Sequence, residues 1–74
     1  MLAVNKQYRI RSFNNKICKQ YRHRLLAMGM LPGATFSVIR YAPLGETVQI
    51  EINDVLLSLR NKELAYLEME EVSL

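Results

Sequence analysis

The chain has 74 residues, half of them hydrophobic, and a net charge of +3 at pH 7. That length suits one small domain with a narrow stability margin, about 3–5 kcal/mol from packing alone. The single cysteine, Cys18, excludes an internal disulfide and points to a reducing compartment.

Charge is unevenly placed. Up to Arg40 there are eight Lys/Arg and no acid; from Tyr41 onward there are seven acids and two Lys/Arg. Such blocking suggests a dipolar surface that steers a charged partner, unless the fold mixes the two halves in space. The N-terminal stretch lacks the long apolar run of a signal peptide. The longest apolar stretch, Leu25 to Ala34, is broken by two glycines and a proline and falls short of the roughly 20 residues that span a bilayer. A soluble protein is expected.

Residues 1–6 show no period and read as a short tail. Tyr8 to Phe13 alternates strictly, which predicts a half-buried strand with Tyr8, Ile10 and Ser12 on one face and Arg9, Arg11 and Phe13 on the other. Asn14-Asn15 breaks it. Ile17, Tyr21, Leu25 and Met28 then form one helical stripe. Asn15 suits the N-cap by residue type, with a start nearer Cys18 as the alternative. Lys19, Arg22, His23 and Arg24 fall on the outer face, and Leu26, about 100° off the stripe, either borders the core or is an exposed apolar residue.

Gly29 is placed to close the helix in the left-handed conformation, with Met30 as the apolar contact of such a cap. Pro32-Gly33 fits the centre of a type II turn. Thr35 to Tyr41 reads as a strand by β-branched and aromatic content. Ala42-Pro43-Leu44-Gly45 turns the chain into Thr47–Ile52, where Val48, Ile50 and Ile52 alternate inward. Asn53-Asp54 signals a two-residue hairpin. Val55, Leu57 and Leu59 are expected on the inner face of the returning strand, with Leu56 exposed or against the helix. Asn61 is a candidate cap for a helical turn over Lys62 to Ala65, and Leu67, Met69 and Val72 mark a last strand. The economical closure of five short strands, one inserted helix and one helical turn is a small antiparallel β-barrel, mainly β in class. An open edge would permit self-association, but nothing in the sequence selects a symmetry.

Chemistry is sparse. One His and one Cys, five apart on a helix and on different faces, do not make a metal site. Gly29, Gly33 and Gly45 match no phosphate-binding loop. Ser12, Ser37, Ser58 and Ser73 sit in strand or tail contexts without a marked partner. The four methionines read as core filler. No catalytic, metal or cofactor-binding residue is predicted. The basic, aromatic segment Tyr8 to Phe13 leaves one alternative function open, a small nucleic-acid-binding barrel that uses the basic N-terminal half.

Three segments carry a family resemblance: Leu25 to Gly33, Val38 to Glu46, and Val55 to Ala65. The corner Met28 to Gly33 and the turn Ala42 to Glu46, at this spacing, resemble the FeoA family, the small cytosolic proteins of bacterial ferrous iron transport. Met28 stands where leucine is commoner, Glu46 where aspartate is, and Cys18 where a small polar or capping residue is. Met for Leu conserves volume, and Cys18 bears on where the helix starts. The resemblance implies an SH3-like barrel without catalytic activity. It implies a cytoplasmic accessory or regulator of the FeoB permease, a membrane protein with a cytosolic GTPase domain. A place at the inner face of the cell membrane would come through that partner, and no nucleic acid is expected. A similar domain also occurs at the C-terminal end of iron-dependent repressors of the diphtheria-toxin-repressor type.

SH3-like barrels bind partners through loop-lined grooves. The candidate contact residues are Leu26, Met30, Leu31 and Pro32 at the corner, and Pro43, Leu44 and Gly45 at the turn. Leu44, apolar at a turn tip, is expected to be exposed. Arg9, Arg11, Lys19, Arg22 and Arg24 are candidates to steer toward an acidic or anionic surface.

Overall fold

The computed structural model describes residues 2–72. Met1 of the expected tail and Ser73 lie outside them. The elements are β1 (Gln7–Phe13), α1 (Lys19–Ala27), β2 (Thr35–Tyr41), β3 (Thr47–Ile52), β4 (Val55–Arg60), α2 (Asn61–Leu64) and β5 (Leu67–Glu71). All strands join one antiparallel sheet in the order β4-β3-β2-β1-β5. The architecture is the expected mainly-β, SH3-like one with an inserted helix and a helical turn. The expected barrel closure is absent. The chain leaves β4 straight into α2, and β5 then runs along β1, so among the described residues β4 and β5 are two unpaired edges.

The core is built by Ile10, Phe36, Val38, Val48, Ile50 and Leu59 from the sheet, with Leu25 and Met30 from the helix and its exit. Two register slips decide what faces it. Between Ile10 and Ser12 the pairing of β1 with β5 shifts, leaving Arg11 unpaired. An extra residue in one strand reverses the face of everything after it. The predicted inward set Tyr8, Ile10, Ser12 therefore ends at Ile10: Ser12 is exposed and Phe13 packs against the core. A second slip between Val38 and Arg40 leaves Ile39 and Arg40 both outward and turns Tyr41 in.

The helix begins at Lys19, with Cys18 at the N-cap, not Asn15. Asn14 spends its side chain on the Lys16 N–H at 2.8 Å and its carbonyl on the Ile17 N–H at 3.0 Å, forming a separate turn ahead of the helix. The exit matches the sequence expectation. Met30 N–H donates to the Leu25 carbonyl at 2.9 Å and Gly29 N–H to the Leu26 carbonyl at 3.1 Å, with Gly29 at φ +87°. These two bonds make a Schellman cap. Its apolar contact pairs Met30 with Leu25, both fully buried. Ala34 N–H then donates to the Leu31 carbonyl at 2.9 Å around Pro32 and Gly33, the latter at φ +93°, as a type II turn requires.

At the other sheet end Asn53 and Asp54 have φ +53° and +64°, the signature of a two-residue type I′ hairpin. Val55 shares the inner face with Leu57 and Leu59, opposite buried Ile52, yet it is 54% exposed because it stands at the sheet margin. Leu56 is exposed as well. Residues 2–6 lie along the fold. Asn5 N–H donates to the Val38 carbonyl at 2.8 Å, Val38 N–H to the Lys6 carbonyl at 3.0 Å, and the Tyr41 hydroxyl to the Leu2 carbonyl at 2.7 Å.

Candidate functional site

The turn from β2 to β3 presents the most exposed large apolar side chain among the described residues, Leu44 at 86%. Its backbone is held from several directions. Gly45 N–H donates to the Ala42 carbonyl at 2.8 Å, and Ala42 N–H to the Thr47 carbonyl at 2.9 Å. Pro43 fixes φ at the first central position, and Gly45 takes φ +74°. From α2, the Asn61 side-chain amide donates to the Gly45 carbonyl, and Asn61 N–H donates to the Glu46 carbonyl at 3.0 Å. An apolar tip on a braced turn loses little freedom when a partner covers it.

Behind the turn lies an open, mostly apolar cleft lined by Leu2, Tyr41, Asn61, Leu64, Ala65 and Met69. Asn61, whose side chain holds the Gly45 carbonyl, is shared by the cleft and the turn. The arrangement can hold an apolar or extended peptide segment. Sequence reading missed this cleft. Beside the residues of α2 and β5, its lining takes Leu2 from the tail, which has no period, and Tyr41, which faces inward only because of the slip at Ile39.

Asn61 was expected to cap the following turn; it is instead the first residue of α2, which leaves its side chain for Gly45. Arg60 is the N-cap, and its N–H donates to Glu63 Oε1 at 3.3 Å. Glu63 is fully buried, and the same oxygen lies 3.4 Å from Arg24 Nη1 of α1. Its Oε2 has no hydrogen-bond partner among the described residues.

The seven predicted contact residues do not form one surface. The corner leads into β2 and the turn leaves it, so the two sit at opposite ends of a seven-residue strand, roughly 20 Å apart at ~3.3 Å per residue. At the turn, Pro43 and Leu44 are exposed and Gly45 is half-buried. At the corner, Leu31 and Pro32 are exposed and Leu26 is half-buried. Met30 requires correction: it is fully buried, since the Schellman cap aims it at Leu25, and it supports the corner from beneath.

The predicted steering residues also divide. Arg9 pairs with Glu70 at 3.5 Å and Arg24 with Glu63, so acids of the second half meet bases of the first. Arg11, Lys19 and Arg22 are exposed with no ion pair among the described residues. Also among the described residues, no three His, Cys, Asp or Glu side chains converge, and no helix is long and apolar enough to cross a membrane.

Fold and site together define a small SH3-like β module with an inserted helix and a rigidly mounted apolar turn. The FeoA domain profile matches residues 1–71, and the chain belongs to the FeoA family. A solution structure of a Pseudomonas aeruginosa protein is 42% identical, with a TM-score of 0.75 over 97% of this chain and 96% of that one. Iron(II) transport protein A from Clostridium thermocellum is 27% identical, with a TM-score of 0.87 over 96% of this chain and 43% of that one. An Fe(2+) transport protein A/Fe(2+) transporter FeoB fusion protein from Porphyromonas gingivalis is 40% identical over 53 residues, which is 72% of this chain. The match spans only 6% of the fusion's length.

Proposed function

We propose that this chain is a non-catalytic accessory of ferrous iron transport that binds a FeoB-type permease through the Leu44 turn and the adjoining cleft. The observation that carries the reading is the Porphyromonas gingivalis relative, in which transport protein A and FeoB are one fusion protein. Fusion holds two modules at high effective concentration; separate chains must recover that proximity by binding. The Leu44 turn supplies what such binding needs, an exposed apolar anchor on a preorganised backbone. Lys19, Arg22 and Arg11 add long-range attraction toward an acidic partner surface. Contact with the inner face of the cell membrane then comes through the permease, and the protein works in the cytoplasm.

The test is an NMR titration of the labelled chain with the purified permease, with its GTPase domain and a non-specific RNA in parallel. Shifts confined to residues 42–46 and 61–65 with the permease are expected. Shifts at Leu31 and Pro32 alone would move the contact to the corner. Silence with the permease, together with salt-sensitive shifts at Arg11 and Arg22 with RNA, would replace this reading by nucleic-acid binding.

A further inference from the structure

The two edges of the sheet are unlike. β5 presents Glu68, Glu70 and Glu71, all exposed, the kind of charge that keeps an edge from pairing with another chain. β4 carries a single charge, Arg60 at its end, and no proline, and its Val55 and Leu56 are 54% and 63% exposed. An unguarded apolar edge is a template for a further strand.

The hairpin decides which backbone groups that strand would meet. In a type I′ hairpin the residues flanking the turn, here Ile52 and Val55, exchange hydrogen bonds, and the bonding alternates from there. Val55, Leu57 and Leu59 thus bond toward β3, while the N–H and C=O of Leu56 and Ser58 point away from the sheet. No other described backbone or side chain bonds to them. The Arg60 N–H also points outward, but Glu63 Oε1 holds it at 3.3 Å.

We infer that β4 is a self-pairing edge, whose occupant is β4 of a second copy, antiparallel about a twofold axis through Leu57. An axis perpendicular to the sheet keeps both apolar faces on one side, so only residues of the same face meet. In this register Leu56 lies opposite Ser58 of the second copy, and the reverse, which satisfies every outward amide and carbonyl of both residues. Leu57 meets its counterpart on the core side, and Val55 meets Leu59 of the second copy. Arg60 of the second copy then comes alongside the hairpin turn that carries Asp54, on both sides of the axis, so opposite charges meet at each end of the ladder. The neighbouring register, centred on Ser58, would need the Arg60 N–H that Glu63 already holds. The result is one continuous sheet made from two five-stranded ones.

The surface is short, so the dimer is weak, at the low end of specific interfaces. Sedimentation over a dilution series reaching roughly millimolar protein tests it, with isotope-filtered NOEs between labelled and unlabelled copies. A reversible dimer with Leu57-to-Leu57 contacts between copies is expected. Ser58→Pro removes only an outward N–H, which an edge strand tolerates, and blocks the incoming strand. It should weaken association at least about tenfold with the hairpin's chemical shifts retained. Arg60→Glu, which faces Asp54 of the second copy with a like charge, should weaken it several-fold. A monomer across the whole series overturns the pairing. So does a dimer indifferent to Ser58→Pro, or NOEs that place another surface at the contact. It stands apart from permease binding, and the failure of either leaves the other in place.

Discussion

The side-chain amide of Asn61 donates to the carbonyl of Gly45, sixteen residues earlier, so the first residue of α2 braces the turn that carries Leu44. A contact of this kind couples two segments that the sequence keeps well apart. Asn61→Ala should cost about 0.5–1.5 kcal/mol, the worth of one intramolecular hydrogen bond. Amide exchange at residues 42–46 should speed up more than elsewhere, and permease affinity should fall. Unchanged exchange in that turn would show that the brace is dispensable.

Leu44→Asp and Met30→Asp separate an exposed anchor from a buried support. Leu44 is 86% exposed, so its replacement should shift stability by less than about 0.5 kcal/mol while weakening permease binding about tenfold or more. Met30 has no exposure, and an unpaired carboxylate in its place exceeds a margin of about 3–5 kcal/mol, so that variant should not fold. Thermal melts beside a binding titration decide both.

Arg24 and Arg9 each face a glutamate, but the glutamates differ. Arg24→Ala leaves the fully buried Glu63 without its ion-pair partner and should cost about 1–3 kcal/mol. Arg9 and Glu70 are both about half exposed, so Arg9→Ala should cost less than about 0.5 kcal/mol. Chemical denaturation of both variants measures the contrast, and equal losses would mean that water solvates Glu63 after all.

Gly29→Ala tests the helix exit. At φ +87° an alanine is strained, and the loss should be about 1–2 kcal/mol. The Cβ itself meets only Asn53 Nδ2 at an ordinary 3.5 Å, so backbone conformation and not a clash sets the cost. Gly29→Asn, which tolerates positive φ better, should lose less in the same urea titration.

Much of the fold was legible because its punctuation is local. Gly29 with Met30, Pro32-Gly33, Asn53-Asp54 and Pro43 to Gly45 each specify their turn within a few residues, through φ limits that no distant contact has to supply. The strand spans follow for the same reason, and so does the exposure of Leu44, since a turn tip at the end of a hairpin has nothing above it; the start of α1 does not, because Asn14 forms a separate turn and Cys18 takes the N-cap. The candidate site was legible only by halves. The corner and the turn were both found, but the length of β2 that parts them acts in three dimensions, and the cleft behind Leu44 depends on a tail without periodicity.

By itself, then, the sequence determined the order of elements, the chirality of the turns and the apolar faces up to each register slip. Only the tertiary structure decided the rest. The slips at Arg11 and Ile39 arise from pairing with a second strand, and they reverse the faces of Phe13 and Tyr41. The burial of Glu63 rests on α1 bringing Arg24 to α2, and the open β4 edge on β5 choosing β1 as its neighbour. Local φ preferences act over a few residues, whereas burial, register and edge exposure are set by whichever distant segment arrives alongside.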